Sequence, residues 1–510
     1  MLTKTFGCAI IGISAIIVTI EVNSDKGIQY FLVGLPDNAV KESQQRIIAS
    51  FSNLGYKFPK KRITINMAPA DIRKEGSAYD LALAIGIMAV SDQMDASLLD
   101  QYVIMGELSL DGTVNPIKGV LPMAIKAKAD GFKGIVIPKE NAKEAAIVEG
   151  IDVIGVEDLS EVVDFLNGDK QIEPEKVDME SLVHEDVYAF DFQDVKGQEN
   201  IKRALEIAAA GSHNVLLIGS PGSGKTMLAK RLPSILPPMT LAEALETTKI
   251  YSVAGLMGKN KTLLTTRPFR SPHHSISDAG LCGGGSFPQP GEISLAHNGV
   301  LFLDEVPEIQ RHTLEILRQP MEDRVISISR AKMSVQFPAN FMLVAAMNPC
   351  PCGYYNHPDR ECVCKPGEVQ KYLNKISGPL MDRIDLHVEV LPVPYNELSD
   401  TRRGEPSEEI RKRVVKARKI QEERYKDYPE IHSNAQMTTS LLQKYCVLDS
   451  RGQEALRNAM NRLGLSARAY DRILKVARTI ADLEGSERIQ SGHLAEAINY
   501  RSLDRDNWGN

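Results

Sequence analysis

The stretch that decides the fold of this chain is Gly219-Ser220-Pro221-Gly222-Ser223-Gly224-Lys225-Thr226. It follows the apolar run 215–218 and precedes the helix-forming run 227–230, so the pattern predicts a strand, a glycine-rich loop and a helix. The glycines let successive backbone amides turn toward phosphate oxygens, Lys225 reaches the β- and γ-phosphates, and the Thr226 hydroxyl is a ligand for Mg²⁺. The stretch therefore predicts an α/β core that binds ATP or GTP.

The charge balance of the 510 residues excludes a globally basic surface, because 66 acidic side chains outnumber 60 basic ones. Any nucleic-acid binding must then come from a local cluster of basic side chains. The strongest early apolar run, 8–18, is too short to span a bilayer and is rich in β-branched residues, which favours a pair of strands. We therefore expect a cytoplasmic protein with no membrane segment.

The length predicts roughly three domains. Strand-like and helix-like segments alternate over residues 1–168, which predicts a mixed α/β domain. Residues 169–190 are charged and weakly periodic, as in an interdomain linker. We expect the nucleotide-binding core over residues 191–395 and a helical domain over residues 396–510.

Two carboxylates follow the next buried strand. The run 300–303 is apolar throughout, which is typical of a strand buried on both faces, and Asp304 and Glu305 come directly after it. In an enzyme with a phosphate-binding loop, the first carboxylate supports Mg²⁺ and the second polarises a water in line with the γ-phosphate. We expect Asp304 and Glu305 to complete a site for nucleotide hydrolysis.

Residues 191–395 resemble the core of AAA+ P-loop ATPases. The lead-in from Phe192 to Glu199 resembles the segment that packs on adenine in that family. The apolar strand 341–347 ends at Asn348, which the resemblance places at the sensor-1 position, where an amide holds the attacking water. The likeness implies ATP and Mg²⁺ as cofactors.

The segment 377–385 resembles the arginine-finger segment of magnesium chelatases and of the minichromosome maintenance helicases. The resemblance implies that Arg383 serves ATP bound to a neighbouring subunit, and the alternative is a surface ion pair with Asp382 or Asp385. A finger that acts in trans neutralises charge on the transferred phosphoryl group, so the active unit must be a ring or another oligomer.

The helical domain at the C-terminal side carries a further likeness. The segment 465–481 resembles the sensor-2 helix of magnesium-chelatase relatives, and this implies that Arg468 contacts nucleotide. Arg472 and Arg478 lie on other turns, and we expect both to be structural. The domain as a whole resembles the helical lid of the magnesium-chelatase type.

Two inserts distinguish this core from a plain AAA+ core. The segment 267–285 resembles the helix-2 insert; we expect its adjacent His273 and His274 to be structural or to contact substrate, because neighbours cannot share one helix face. The segment 324–335 resembles the pre-sensor-1 hairpin, with Arg330 and Lys332 near its tip. In a ring these two residues would form a positive collar that contacts DNA phosphates, and the alternative is an ordinary solvated tip.

Four of the seven cysteines cluster directly after Asn348. Cys350, Cys352, Cys362 and Cys364 could hold a tetrahedral structural zinc, and His357 is a spare ligand. The C-x-C spacing weighs against chelation by one pair, so metal-free reduced thiols remain the alternative.

Residues 1–168 resemble the proteolytic domain of Lon, a Ser/Lys peptidase with a ribosomal S5-like α+β fold. In the register of that likeness the serine position is Ala78, with Ser77 one place early, and the lysine position is Leu121, with Lys118 three places early. Nucleophile and base must meet within hydrogen-bond distance. We therefore expect no peptidase activity and a role in assembly or substrate contact.

The phrases 33–37 and 66–71 resemble signature stretches of the competence protein ComM family, which is magnesium-chelatase-like and AAA+. That resemblance spans essentially the full chain and implies an ATP-driven hexameric DNA motor with helicase and branch-migration activity in natural transformation. The main alternative is a chelatase-type motor that remodels a protein partner during metal insertion. An ATP-dependent protease, the third reading, needs the missing Ser/Lys pair.

Overall fold

The computed structural model describes residues 1–178, 188–258, 262–285, 288–330, 333–398 and 402–501. The chain divides into two compact units: Met1–His184 with Leu241–Thr265 form unit 1, and Glu185–Thr240 with Thr266–Asn510 form unit 2. None of the helices in the described part of the chain combines the length and the apolar composition that a membrane crossing demands.

Strands and helices are numbered along the chain. The strands are β1 (Leu2–Ile11), β2 (Ser14–Asp25), β3 (Tyr30–Val33), β4 (Arg62–Ala68), β5 (Tyr102–Ile104), β6 (Glu107–Leu108), β7 (Val114–Asn115), β8 (Gly134–Pro138), β9 (Asp152–Val156), β10 (Val215–Gly219), β11 (Phe269–Arg270), β12 (Gly283–Gly284), β13 (Gln289–Pro290), β14 (Val300–Leu303), β15 (Val325–Arg330), β16 (Met333–Pro338), β17 (Met342–Met347) and β18 (Leu386–Val390). The helices of the first half are α1 (Asn38–Lys41), α2 (Ser43–Leu54), α3 (Asp80–Val90), α4 (Val120–Ala129), α5 (Lys139–Ala145), α6 (Leu159–Asn167), α7 (Glu199–Gly211), α8 (Lys225–Arg231) and α9 (Leu241–Ala254). Those of the second half are α10 (Asp278–Cys282), α11 (Glu292–Leu295), α12 (Arg311–Ile316), α13 (Arg318–Asp323), α14 (Glu368–Leu373), α15 (Gly378–Met381), α16 (Tyr395–Leu398), α17 (Ser407–Arg424), α18 (Thr439–Tyr445), α19 (Ser450–Leu463), α20 (Ala467–Leu483) and α21 (Ser491–Asn499).

Unit 1 is built on a mixed sheet with the strand order β3-β4-β2-β1-β5-β8-β9. β1 and β2 pair antiparallel from Leu2↔Asn23 to Ile11↔Ser14, which confirms the strand pair that the β-branched run 8–18 predicts. The apolar helix α3 is buried along its whole length. Its first residue, Asp80, is also buried, and its carboxylate accepts hydrogen bonds of 2.6 and 2.9 Å from Arg46.

The helix α9 belongs to unit 1 although its neighbours in the sequence belong to unit 2. It packs against α4, where the backbone N–H of Gly119 donates to the carbonyl of Ser252 at 3.0 Å. The Ser252 hydroxyl donates to the buried carboxylate of Glu144. Residues 241–265 thus fold with unit 1, although they lie inside the range 191–395 that the sequence analysis assigns to the nucleotide-binding core.

Unit 2 contains a parallel sheet with the strand order β11-β14-β17-β10-β18. The residues of β10, β14 and β17 are all buried, as their unbroken apolar runs predict. Because neighbouring parallel strands end at the same edge of the sheet, the residues that follow these three strands meet there. This edge carries the candidate nucleotide site.

The C-terminal region of unit 2 is helical, as predicted. An apolar stripe on α20 that includes Ile473, Ala477 and Ile480 is buried in the same core as α7 and the sheet. The helix begins at Ser466, whose hydroxyl accepts a hydrogen bond from the Ala469 N–H at 3.2 Å. The mixed α/β architecture with a helical C-terminal region confirms the predicted fold class.

Candidate nucleotide-binding site

The loop between β10 and α8 has the backbone geometry that a phosphate site requires. Gly222 and Gly224 have φ angles of 79° and 95°, in the region that favours glycine. A Cβ atom at Gly219 would lie 2.3 Å from the carbonyl oxygen of Val390, so a side chain there would clash with the backbone of β18. The glycines of the sequence motif are thus demanded by local geometry.

Lys225 lies buried at the start of α8 and turns back over the loop. Its ammonium group donates to the carbonyls of Gly219 at 2.6 Å and Ser220 at 3.0 Å, and to Oδ1 of Asn348 at 3.3 Å. Burial lowers the pKa of Lys225, and the negative charges of Asp304 and Glu305 oppose that shift. Phosphate oxygens would give this ammonium group stronger partners than the two carbonyls do.

Thr226 and Asp304 form the oxygen-lined part of the site. The Thr226 hydroxyl donates to Oδ2 of Asp304 at 2.7 Å, and Oδ1 of Asp304 accepts from the backbone N–H of Glu305 at 2.9 Å. Hydroxyl and carboxylate oxygens are the ligands that Mg²⁺ prefers in proteins, usually together with waters and substrate phosphates. The donor set that the structure brings together here therefore fits Mg²⁺.

Glu305 follows β14 in a left-handed backbone conformation, with φ 50° and ψ 43°, and its side chain is half exposed. Nδ1 of His274 lies 3.1 Å from Oε2 of Glu305, and the ring of His274 contacts that of His273 in a tilted arrangement with centroids 4.0 Å apart. The sequence did not predict a histidine at this carboxylate. No local signal could have revealed it, because the contact joins residues 31 positions apart (305 − 274) in two different segments.

A cavity of about 700 Å³ opens beside the phosphate-binding loop in unit 2. It is lined by the residues from Val195 to Lys202 and by the residues that follow β18. Gln198, with a φ angle of 58°, joins the cavity wall to the loop, since its Nε2 donates to the carbonyl of Ser223 at 2.8 Å. This is the segment that the sequence analysis expects to pack on adenine.

Arg383 lies away from this edge, in a buried position. Its side chain is 6% exposed, Nη2 lies 2.6 Å from Oε1 of Glu322, and Nη1 donates to the carbonyl of Pro379 at 2.6 Å. The acidic partner is Glu322, because the side chain turns inward toward α13, and it is neither Asp382 nor Asp385 of the alternative surface ion pair. The carboxylate of Asp385 pairs with Arg472 instead.

Arg468 lies near the same segment. Its Nη1 is 4.0 Å from Oδ2 of Asp382, and its side chain is 57% exposed. Within the described parts of the chain, neither Arg383 nor Arg468 forms a hydrogen bond or ion pair with residues 219–226. The structure therefore divides the six predicted catalytic residues into two sets. Lys225, Asp304, Glu305 and Asn348 lie around the phosphate-binding loop, and the two arginines lie elsewhere.

Arg472 and Arg478 are structural, as predicted. Arg472 lies 3.0 Å from Oδ1 of the fully buried Asp385, and Arg478 donates to the side chain of Asp482 and to two backbone carbonyls. Burial alone would raise the pKa of Asp385, but Arg472 and His213 hold it well below its usual range. This ion pair links the C-terminal helices to the segment that carries Arg383.

The four clustered cysteines meet in space. Their sulfur atoms all lie within 4.8 Å of one another, with Cys350 and Cys352 3.3 Å apart, Cys352 and Cys362 3.5 Å apart, and Cys364 beside them. Burial opposes ionisation of Cys352, but hydrogen bonds from the Tyr354 backbone and neighbouring thiols outweigh it and lower the pKa of Cys352 to about 6.

The cysteine loop also contacts the phosphate-binding loop. A Cβ atom at Gly353, which has a φ angle of 86°, would lie 2.5 Å from Cδ of Pro221. His357, the spare ligand of the sequence analysis, is not part of the four-sulfur cluster, and its Nδ1 accepts from the Asp359 backbone at 3.0 Å.

The predicted pre-sensor-1 hairpin is present. β15 and β16 pair antiparallel from Val325↔Pro338 to Arg330↔Met333. Lys332 lies outside the described residues, and only the backbone of Arg330 is described. The role of these two residues therefore stays a prediction.

The residues that a Lon-type peptidase would use have other partners in unit 1. The Ser77 hydroxyl donates to the carboxylate of Glu107. The Leu121 backbone N–H donates to Glu144 at 3.2 Å, and the Lys118 side chain packs against Gly255. The nearby Lys74 is buried and donates to the carbonyl of Pro69.

Comparisons with known proteins agree along the whole chain. Profiles described as magnesium chelatase subunit ChlI, subunit ChlI of Mg-chelatase and the ChlI C-terminal region match residues 191–398, 20–141 and 404–501, respectively. The competence protein ComM of Haemophilus influenzae is 46% identical over 508 residues, which cover 99% of this chain and 98% of that protein.

Two further relatives match only part of the chain. The magnesium-chelatase 38 kDa subunit of Rhodobacter capsulatus is 24% identical over 60% of this chain and 84% of that protein. Lon protease 2 of Bacillus subtilis is 35% identical over 127 residues, 24% of this chain and 22% of that protein. The chain therefore belongs to the competence protein ComM family of magnesium-chelatase-like AAA+ proteins.

Proposed function

We propose that this chain is the ATP-hydrolysing subunit of a hexameric ring that moves on single-stranded or branched DNA in the cytoplasm. The observation that carries the ATPase part is the contact set around the phosphate-binding loop, above all the 2.7 Å hydrogen bond between Thr226 and Asp304. It brings a hydroxyl and a carboxylate to the end of the loop, where a nucleotide-bound cation is held in P-loop enzymes.

Each residue of this set has a distinct role in the proposed reaction. The loop amides and Lys225 bind the triphosphate, while Thr226 and Asp304 hold Mg²⁺, which neutralises charge on the β- and γ-phosphates. Glu305 orients the attacking water and polarises it, and Asn348 holds that water in line. The cavity from Val195 to Lys202 takes the adenosine part of the nucleotide.

The two arginines complete the site of a neighbouring subunit. Arg383 and Arg468 lie near Asp382 and make no hydrogen bond or ion pair with the phosphate-binding loop within the described chain, which supports action in trans. An arginine finger stabilises charge that develops on the transferred phosphoryl group. This part of the proposal requires an oligomer.

The DNA part of the proposal rests on the 46% identity to a protein named for competence, the uptake of DNA by bacteria. We propose branch migration and helicase action during natural transformation and recombination. Arg330 and Lys332, repeated around a ring, would contact the phosphates of the strand.

One experiment tests both parts. ATP hydrolysis by the full chain is measured with and without single-stranded and forked DNA, and the mass of the assembly is measured with ATP present. We expect a hexamer whose hydrolysis rate rises on DNA and whose DNA affinity falls with salt. A well-assembled hexamer whose ATPase rate ignores DNA would reject the DNA motor.

A second candidate function is a chelatase-type motor that remodels a protein partner for metal insertion. The 24% identity to the magnesium-chelatase 38 kDa subunit favours it. The Lon-like segment and the hairpin with two basic residues weigh against it. Salt-dependent binding to forked DNA separates the two candidates, because only the DNA motor requires it.

We also propose that the four cysteines hold a structural zinc ion. Tetrahedral coordination at about 2.3 Å per bond places sulfur atoms close to 4 Å apart. The sulfur atoms of Cys350, Cys352 and Cys362 lie 3.3 to 3.7 Å apart, and all four lie within 4.8 Å of one another. Elemental analysis of the purified protein should give one zinc per chain, and Cys352→Ser should lose it while Cys282→Ser keeps it. Unmodified protein that contains no stoichiometric zinc would reject the site.

The Lon-like segment is proposed to serve assembly or substrate contact without peptidase activity. A casein digestion assay should show no cleavage by the unmodified protein. Cleavage that disappears in Ser77→Ala would contradict this.

A further inference from the structure

Arg383 is withdrawn into unit 2 by a carboxylate that competes with any other anion for it. Glu322 holds Nη2 at 2.6 Å, the Pro379 carbonyl holds Nη1 at 2.6 Å, and the side chain is only 6% exposed. Nε of Arg383 is buried and lacks a hydrogen-bond partner within the described chain. The guanidinium is thus incompletely satisfied where it lies, and a further anionic partner would improve its bonding.

The backbone at Arg383 is held by hydrogen bonds to Asn214. Nδ2 of Asn214 donates to the Arg383 carbonyl at 3.2 Å, and the N–H of Asp385 donates to the Asn214 carbonyl at 3.0 Å. Asp385 is in turn held by Arg472. Outward movement of the arginine therefore requires that its ion pair with Glu322 and its hydrogen bond to the Pro379 carbonyl both open.

Glu322 lies in the last turn of α13, directly before the hairpin. Arg324 leaves the helix with a φ angle of 56°, and its N–H still donates to the Pro320 carbonyl at 3.0 Å. The carbonyl of Arg324 accepts from the Ala339 N–H at 2.8 Å, which closes the base of the hairpin. Glu322, the partner of Arg383, and the base of the hairpin thus lie in the same turn of the chain.

The paired strands of the hairpin lead directly into that turn. Its two strands pair in continuous register over six residues each, a length of about 17 Å. Ile326, Ile328, Val335 and Phe337 are buried on one of its faces. A displacement of the paired strands would therefore reach the turn that carries Glu322.

We propose that Glu322 is a positioning residue that keeps Arg383 withdrawn until DNA displaces the hairpin. Movement of the hairpin root shifts the end of α13, the ion pair opens, and Arg383 exchanges the Glu322 carboxylate for the phosphates of ATP in the neighbouring subunit. The inference rests on the proposed function, in which the hairpin meets DNA and Arg383 acts in trans. It assigns a residue through which DNA binding would control hydrolysis.

The test compares Glu322→Gln with Asp323→Asn in the full chain. The control removes the same charge one residue further along, at an exposed side chain. ATP hydrolysis is measured with and without a single-stranded oligonucleotide. Without DNA, we expect E322Q to hydrolyse ATP about fivefold faster than the unmodified protein; with DNA, the two rates should be equal. The stimulation ratio, which is the rate with DNA divided by the rate without it, should therefore fall in E322Q. D323N should keep the ratio.

Two outcomes would overturn the inference. One is an unchanged stimulation ratio in E322Q; the other is an equal loss of both rates with a lower melting temperature, which indicates a purely structural carboxylate. Arg383→Ala separates the role of the arginine finger from the role of Glu322. If R383A is inactive and E322Q keeps the normal stimulation by DNA, Arg383 is the arginine finger but Glu322 does not control it. Full ATPase activity of R383A would reject Arg383 as the finger.

Discussion

Lys225 and Asn348 form a hydrogen bond although 123 residues separate them, and Thr226 reaches Asp304 across 78 residues. Both contacts follow from the order of the parallel sheet, in which β10 is adjacent to β17 and β17 to β14. The side chains at the strand ends can therefore be changed with small effects on the core. This makes single substitutions at the site informative about chemistry.

Glu305 is the residue at which binding and hydrolysis should separate. Its side chain is half exposed, so Glu305→Gln should fold normally and bind ATP with unchanged affinity. Without a carboxylate to polarise water, hydrolysis should fall about 100-fold. Nucleotide titration and phosphate release measure the two quantities.

Glu308→Gln provides the matched control for this variant. Glu308 lies one turn further on, and its exposed carboxylate pairs with Lys375 at 3.2 Å. This control should retain normal hydrolysis. A rate close to that of the unmodified protein in E305Q would assign the water-polarising role to another group.

Asp385 should make the stability of unit 2 sensitive to acid. Arg472 and His213 depress the pKa of Asp385 in the folded state. Its contribution to the free energy of unfolding is therefore complete above the ordinary aspartate pKa of about 4, and it is lost as the pH falls below that value. Asp385→Asn leaves Arg472 without a charged partner and should cost about 3 kcal/mol at pH 7.

Urea unfolding at several pH values measures this effect. The free-energy difference between D385N and the unmodified protein should shrink below pH 4, while the exposed Asp427→Asn should show no difference at any pH. A difference for D385N that is constant from pH 3 to pH 7 would argue against the charge as its cause.

The hairpin β15–β16 is the element whose role in DNA binding can be isolated from the ATPase site. Among the described residues, neither of its two strands supplies a side chain to the set around Lys225. Replacing both Arg330 and Lys332 by alanine should weaken DNA binding about tenfold and flatten its salt dependence, because two phosphate contacts per subunit are lost. Nucleotide affinity should not change.

Fluorescence anisotropy with labelled single-stranded DNA over a salt series measures the slope. Arg451→Ala with Arg457→Ala removes two exposed charges from α19 and serves as the control. Equal DNA affinity of the hairpin variant and the unmodified protein would reject the basic collar.

Sequence reasoning succeeds where the signal is local and fails where packing decides. The loop 219–226, the strand before Asp304 and the hairpin are each specified by neighbours in the sequence, through glycine positions, apolar runs and alternation. The contact of His274 with Glu305 and that of Glu322 with Arg383 join residues 31 and 61 positions apart (305 − 274; 383 − 322). Only the folded arrangement selects these partners from the many equivalent carboxylates.

The two compact units do not correspond to two continuous pieces of sequence. The segment 241–265 leaves unit 2 after α8, contributes α9 to unit 1, and returns before β11. The composition of the chain gives no sign of this, because α9 follows the phosphate-binding loop as helices of the core do. The buried pair of Ser252 and Glu144 shows what holds the segment in unit 1.

Ser252→Ala should destabilise unit 1. The substitution removes the hydroxyl donor from a buried carboxylate, which should cost about 2 kcal/mol. Hydrogen exchange of the backbone amides of α4 and α9 should become faster, while those of α20 should not change. Ser52→Ala, at an exposed position of α2, is the control, and unchanged exchange in α9 would contradict the importance of the pair.

The excursion of residues 241–265 into unit 1 also limits how such a gene can evolve. A recombination event with its breakpoint near codon 190 would join the first part of one relative to the remainder of another, and α9 would then meet a foreign surface. The codons for 241–265 must therefore be inherited together with those for 1–178. A hybrid gene that ignores this rule would encode a helix without its matching partner.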